Sequence, residues 1–207
     1  MTDLKDWCYN CLSTREKMVA SSILVTGANR GLGLELVRQL AALAGNAKPN
    51  HIIAACRNPA EANDLIDLAK QNADKPKISL IRLDVTDENS IQSAFEETSS
   101  LCGAEGLNLI INNAGVFPAK YAPEMFSFQS TTDCMAGNTV APLILTKTFH
   151  PLLLKAAATK EAGVMSTAKA GVVMMSSNLG SIANTQEKRN FPYYAYNASK
   201  AALNMVN

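Results

Sequence analysis

The 207-residue chain carries 47% apolar side chains, and its 19 basic and 18 acidic residues leave a net charge of +1. That length suits one domain with a sizeable core, and the balanced charge, free of one-sign runs, gives no footing for nucleic acid or an anionic membrane as partner. Apolar runs such as GVVMM and LNLII are too short to cross a bilayer, and the first 20 residues carry charges where a secretory core would be apolar, so the expected location is cytoplasmic.

Residues 1–20 show no core periodicity and read as a disordered N-terminal extension to a domain spanning 21–207, with Met18 as a second possible start. Cys8 and Cys11 form a C-x-x-C, but no second pair and no nearby histidine completes a zinc site, so no metal is expected. The cysteines number five, at positions 8, 11, 56, 102 and 134, and form no disulfide framework. After the tail, apolar β-rich runs alternate with helical patterns: SSILVTG then GLELVRQLAALA, HIIAACR then AEANDLIDLAKQ, KISLIRLDV then ENSIQSAFEETSSL. LNLIINNAG follows, then a helical stretch around AGNTVAPLILTKTFHPLLLKAAATK, a strand in AGVVMMSS and a last helix from about Tyr194. Strands apolar on nearly every position are buried on both faces, which predicts a doubly wound, Rossmann-type α/β fold: a parallel sheet with helices on both sides.

TGANRGLG, Thr26 to Gly33, falls where the first strand ends and the first helix begins. Glycines there allow a sharp turn and close approach to a pyrophosphate, which the free N–H groups of the helix's first turn would face. A plain glycine-rich turn would look similar, so the loop alone carries little weight. The second strand ends in Cys56-Arg57-Asn58, without the acid that accepts from a ribose 2′-OH in NAD-selective sites. Arg57, with Arg30 in the glycine loop, suits a 2′-phosphate instead. Either arginine alone would pass for a solvated surface group, but the pair favours NADP. Tyr196 and Lys200, four apart on a helix, share a face, so the lysine charge lies near the phenol and favours its ionised form.

Further elements follow in order: Asp84-Val85 after the third strand, Asn112-Asn113-Ala114-Gly115 after the fourth, Asn138 in a helix, and SSNLGS before YNASK. Together with Gly27, Gly31 and Gly33 they resemble the short-chain dehydrogenase/reductase family over roughly residues 20–207. The CRN, NTVAP and SSNLGS segments look most like its sniffer-type, NADPH-dependent carbonyl reductases. That resemblance implies reduction of a small carbonyl compound (aldehyde, ketone or quinone) to an alcohol, with NADPH held by Gly27, Asn29, Arg30, Gly31, Leu32, Gly33, Arg57, Asp84, Val85, Asn113, Ala114, Gly115, Tyr196 and Lys200. Asp84 would accept from the adenine amino group. Tyr196 would protonate the carbonyl oxygen, Ser177 hold it, Lys200 bind the nicotinamide ribose and Asn138 keep a water in line with Lys200. Ser177 is preferred to Ser176 because the family places its serine three residues before the glycine, here Gly180. Tyr193 and Tyr194 have no lysine four residues on and read as helix entry and pocket wall, while His51 and His150 match no motif.

Family members run on well past the lysine, so the resemblance implies a domain incomplete at its C-terminus. The fifth strand would then form an exposed apolar edge. Turnover would suffer, and a homodimer through the helix before Tyr196 and the helix containing it would be weakened. The alternative is a catalytically silent form that binds NADP(H) or pairs with full-length relatives.

Overall fold

The apolar runs form β1 (Ser22–Thr26), β2 (His51–Cys56), β3 (Lys77–Arg82), β4 (Leu109–Asn112) and β5 (Gly171–Met174). The computed structural model describes residues 20–72, 76–117, 127–158, 165–185 and 193–207, so the expected extension through residue 19, with its C-x-x-C, lies outside the described residues. Every neighbouring pair of strands is parallel, in the order β3-β2-β1-β4-β5. This is the doubly wound Rossmann-type sheet that the alternating pattern predicts.

Successive strand residues point to opposite faces, and β1, at the centre, is buried on both. Its Ile23 and Val25 join Ile52, Ala54 and Ile78 in one core, closed by Val37 of α1 (Gly31–Ala42) and Leu65 of α2 (Asn63–Gln71). Leu24 joins Ile53, Ile81 and Ile110 in the other, closed by Ile91 of α3 (Glu88–Cys102) and Phe149 of α5 (Ala141–Ala158). Burying each large apolar side chain contributes about 1.5–3 kcal/mol. β3 and β5 form the sheet edges, and β5 is only half-buried.

From β1 the chain winds outward to β3, then crosses back to β4 on the other side of β1. Connections therefore leave β1 and β4 in opposite directions and open a crevice at their carboxyl ends, where ligands of such sheets bind. The helical stretch after β4 differs from expectation. It begins earlier, at α4 (Phe128–Met135), where Ser127 Oγ caps the helix by accepting from Ser130 N at 3.1 Å. It then passes through a π-helical turn, Ala136–Val140, before α5. Gly137 and the β-branched Thr139 and Val140 are weak α-formers, which lowers the cost of that widened turn. The last helix, α6 (Tyr194–Val206), begins where the sequence places it. Among the described residues no helix is long and apolar enough to cross a membrane.

Candidate active site

The crevice is held open by Thr26 and Asn113. Thr26 Oγ1 accepts from the backbone N–H groups of Asn113 (3.0 Å) and Ala114 (2.9 Å), and Asn113 Nδ2 donates to Thr26 O (2.9 Å) and Gly27 O (3.3 Å). These bonds lace the ends of β1 and β4 where the ladder stops. Gly27 has φ +66° and Gly31 φ +56°, left-handed values that other residues adopt only at a cost. Gly33 meets a different demand: a Cβ there would stand 2.1 Å from Gly27 O and 2.6 Å from Asn113 Nδ2. The start of α1 is thereby pressed against the loop, with the N–H groups of its first turn free for an anion.

Twelve residues expected from the sequence to bind cofactor, from Gly27 to Gly115, line one groove of about 1370 Å3. That exceeds the roughly 300–1,000 Å3 of ordinary small-ligand pockets, as an extended dinucleotide requires. The bare glycine loop with Arg30 in it, the helix start and Arg57 fit such a group. Asp84 shares the lining, and its Oδ1 accepts from Thr86 N (3.0 Å) and Thr86 Oγ1 (2.7 Å). Those bonds, with smaller contributions from Arg57 and Arg82, hold its carboxyl below the usual aspartate range. The groove also takes in Arg82, Asn58, Glu61 and Thr86, which sequence reasoning missed. The available signal was position, since each lies within four residues of Arg57 or Asp84.

The expected catalytic residues are carried by three segments that grip one another. Lys200 is only 6% exposed. Its Nζ donates to Met175 O, just past β5, at 2.6 Å and lies 5.8 Å from the centre of the Tyr196 ring. Gly180 makes this approach possible, because a Cβ on it would meet the Lys200 backbone at 2.8 Å. Ser199 is fully buried beside it: its Oγ donates to Tyr196 O (2.8 Å) and accepts from Asn138 Nδ2 (3.0 Å). Thr139 Oγ1 donates to Ser199 O at 2.8 Å. The π turn thus clasps α6 through two neighbouring side chains.

Asn138 is fully buried, with Oδ1 accepting from Val116 N (2.7 Å) and Nδ2 donating also to Val116 O (2.9 Å). Its amide ties the loop after β4 to α6. Ser177 Oγ accepts from Leu179 N at 3.1 Å and opens the short turn Asn178–Gly180, whereas Ser176 Oγ bonds to Asn204 of α6. The two serines therefore have separate partners. Phe117, unremarked by any motif, places its ring 4.7 Å from those of both Tyr193 and Tyr196, edge-on to the latter.

Burial holds the Lys200 ammonium below the ordinary lysine range. The folded chain then binds this proton less tightly than the unfolded chain. The penalty is present at neutral pH and fades as pH rises through the folded value toward 10.5. Melting temperatures of the wild type should accordingly gain on those of Lys200→Met between neutral pH and 10.5. A difference independent of pH would show that the ammonium is not desolvated.

The sequence model of the family described as short chain dehydrogenase matches residues 21–207. A structure of NADPH-bound carbonyl reductase from chicken fatty liver superimposes with a TM-score of 0.85 at 36% identity, over 95% of this chain and 71% of that one. Carbonyl reductase Sniffer of D. melanogaster matches with a TM-score of 0.79 at 37% identity, over 90% of this chain and 72% of that one. Short-chain dehydrogenase/reductase tropE of Talaromyces stipitatus is 31% identical over 190 residues, 89% of this chain and 69% of tropE.

Proposed function

The chain belongs to the short-chain dehydrogenase family of oxidoreductases, and from that premise we propose that it reduces a small aldehyde, ketone or quinone to an alcohol with NADPH. One observation carries the reading: the buried Lys200, bonded to Met175 O, stands 5.8 Å from the Tyr196 ring, and although neither lines the groove, Asn138 ties Val116 of its lining to Ser199 on the same helix. When bound, the nicotinamide supplies hydride to the carbonyl carbon. Tyr196 gives its phenol proton to the carbonyl oxygen, so that hydride and proton together complete the alcohol. Ser177 donates its hydroxyl hydrogen to the same oxygen in a hydrogen bond, while its Oγ goes on accepting from Leu179 N. Lys200 electrostatically favours the phenolate left behind and holds the nicotinamide ribose. Asn138 fixes the loop after β4 against α6, and with it the distance between groove and phenol. Its part in holding a proton-supplying water belongs to the same proposal.

The test is NADPH oxidation with a panel of aldehydes, ketones and quinones, beside NADPH binding by fluorescence. Alcohol formed in step with NADPH consumed is expected, whereas binding without oxidation would favour a nucleotide-binding protein that acts through partners. The likeness to an NADPH-bound carbonyl reductase supports the cofactor, as do Arg30 and Arg57. Losing a charge-assisted contact to the 2′-phosphate costs about 1.5–3 kcal/mol, so NADPH should bind at least tenfold more tightly than NADH, and Arg57→Asp should invert the order. Equal affinities in a titration would overturn the preference. A homodimer through α5 and α6 is in keeping with the exposed Leu143, Leu154 and Met205 on those helices, and sedimentation at graded concentration tests it. The free thiols of Cys56, Cys102 and Cys134 suit a reducing cytoplasm.

A further inference from the structure

We propose that Arg82 is a third determinant of the cofactor's 2′-phosphate, acting beside Arg57 and Arg30; the inference rests on the reading of the groove as an NADP site. β3 pairs with β2 so that Arg82 stands opposite Cys56, and Leu83 N donates to Cys56 O at 2.9 Å. Paired residues of parallel strands share a face. Ile78 and Leu80 accordingly pack with Ile52 and Ala54 in one core, and Arg82 continues that row at the point where the sheet ends. An apolar residue there would extend the core. A guanidinium stands there instead, exposed, on the lining of the groove and next to the strand from which Arg57 emerges.

Charge supports the same placement. Among the described residues the ion pairs are Glu35–Arg38 and Lys70–Asp67, and none of Arg30, Arg57 and Arg82 takes part. Three unpaired cations thus line one groove, with Glu61 and Asp84 as the acids nearest them in the chain and Asp133 farther along the same lining. Asn58 Nδ2 donates to Glu61 at 3.2 Å, and Thr86 engages Asp84. Both Arg57 and Arg82 act electrostatically on the Asp84 carboxyl, in keeping with their place on the same groove lining. A phosphomonoester bears about −1.5 to −2 charge at neutral pH, and planar guanidinium forks match its oxygens in pairs. A charge on an edge strand also discourages pairing with other sheets, but that service needs neither this groove nor Arg57 as neighbour.

Calorimetric titration of the full chain with adenosine 2′,5′-bisphosphate and with adenosine 5′-monophosphate tests the assignment. Arg82→Gln should weaken the bisphosphate roughly tenfold and leave the monophosphate and the melting temperature unchanged. Unchanged affinity for both would make Arg82 a guard of the edge strand, and equal loss of both would make it an adenine or folding residue; either overturns the proposal. Should the glutamine variant melt lower, Arg82→Lys keeps the charge and loses the fork, and is expected to weaken the bisphosphate alone, with no change overturning the proposal. A wild type that binds the two nucleotides equally would instead overturn the NADP reading itself.

Discussion

Tyr196→Phe should lower carbonyl reduction roughly 10²- to 10⁴-fold, the usual contribution of a positioned proton donor, while leaving NADPH affinity within about twofold of the wild type. The phenol oxygen acts on charge that develops during hydride transfer, so its loss falls on the chemical step and little on binding. The ring itself is retained. Its edge-on packing against Phe117 needs no hydroxyl, and the Ser199 bond goes to the Tyr196 backbone oxygen. Single-turnover reduction, followed beside fluorescence titration of NADPH, separates the two quantities. Lys200→Ala should depress both, because that side chain serves phenol and ribose alike. Reduction that survives Tyr196→Phe would remove the tyrosine from the mechanism, whatever the cofactor does.

The second large effect is expected at Gly33. A methyl group there would lie 2.1 Å from Gly27 O and 2.8 Å from Gly27 C, both backbone atoms of a loop that Asn113 holds by two hydrogen bonds. No rotamer change relieves such a contact, so the loop and the start of α1 must part. Gly33→Ala should therefore lose NADPH binding by at least 100-fold and stability by about 1–3 kcal/mol, the range of overpacking in a tight site. Gly31→Ala makes the informative contrast. Its φ of +56° imposes a backbone penalty, but no atom lies within 4 Å of the added carbon. It should cost about 1–2 kcal/mol of stability and much less in binding. Equal binding by Gly33→Ala and the wild type would show that the loop does not need this close approach.

The sequence by itself determined the alternating strands and helices, the parallel sheet and the family. These depend on local properties: runs such as HIIAAC are apolar on both faces, glycines permit turns wherever they stand, and residues four apart on a helix share a side. The groove was legible for the same reason, since its glycine loop and the NNAG segment each follow a strand directly. Tertiary structure decided the matters that depend on partners far away in the chain. Asn138 meets Ser199 across 61 residues, and no motif says that its amide goes to that hydroxyl and to the Val116 backbone. The π turn that presents it differs from α-helix only in closing its hydrogen bonds over one more residue, a single-turn change too small for periodicity to reveal. Ser176 and Ser177 are neighbours with the same side chain, and only the approach of α6 gives Asn204 to the first. Arg82 belongs to no motif, and only pairing with β2 puts it on the groove next to the strand that leads into Arg57. In each of these pairings the partners lie far apart in the chain and meet only once the elements have packed.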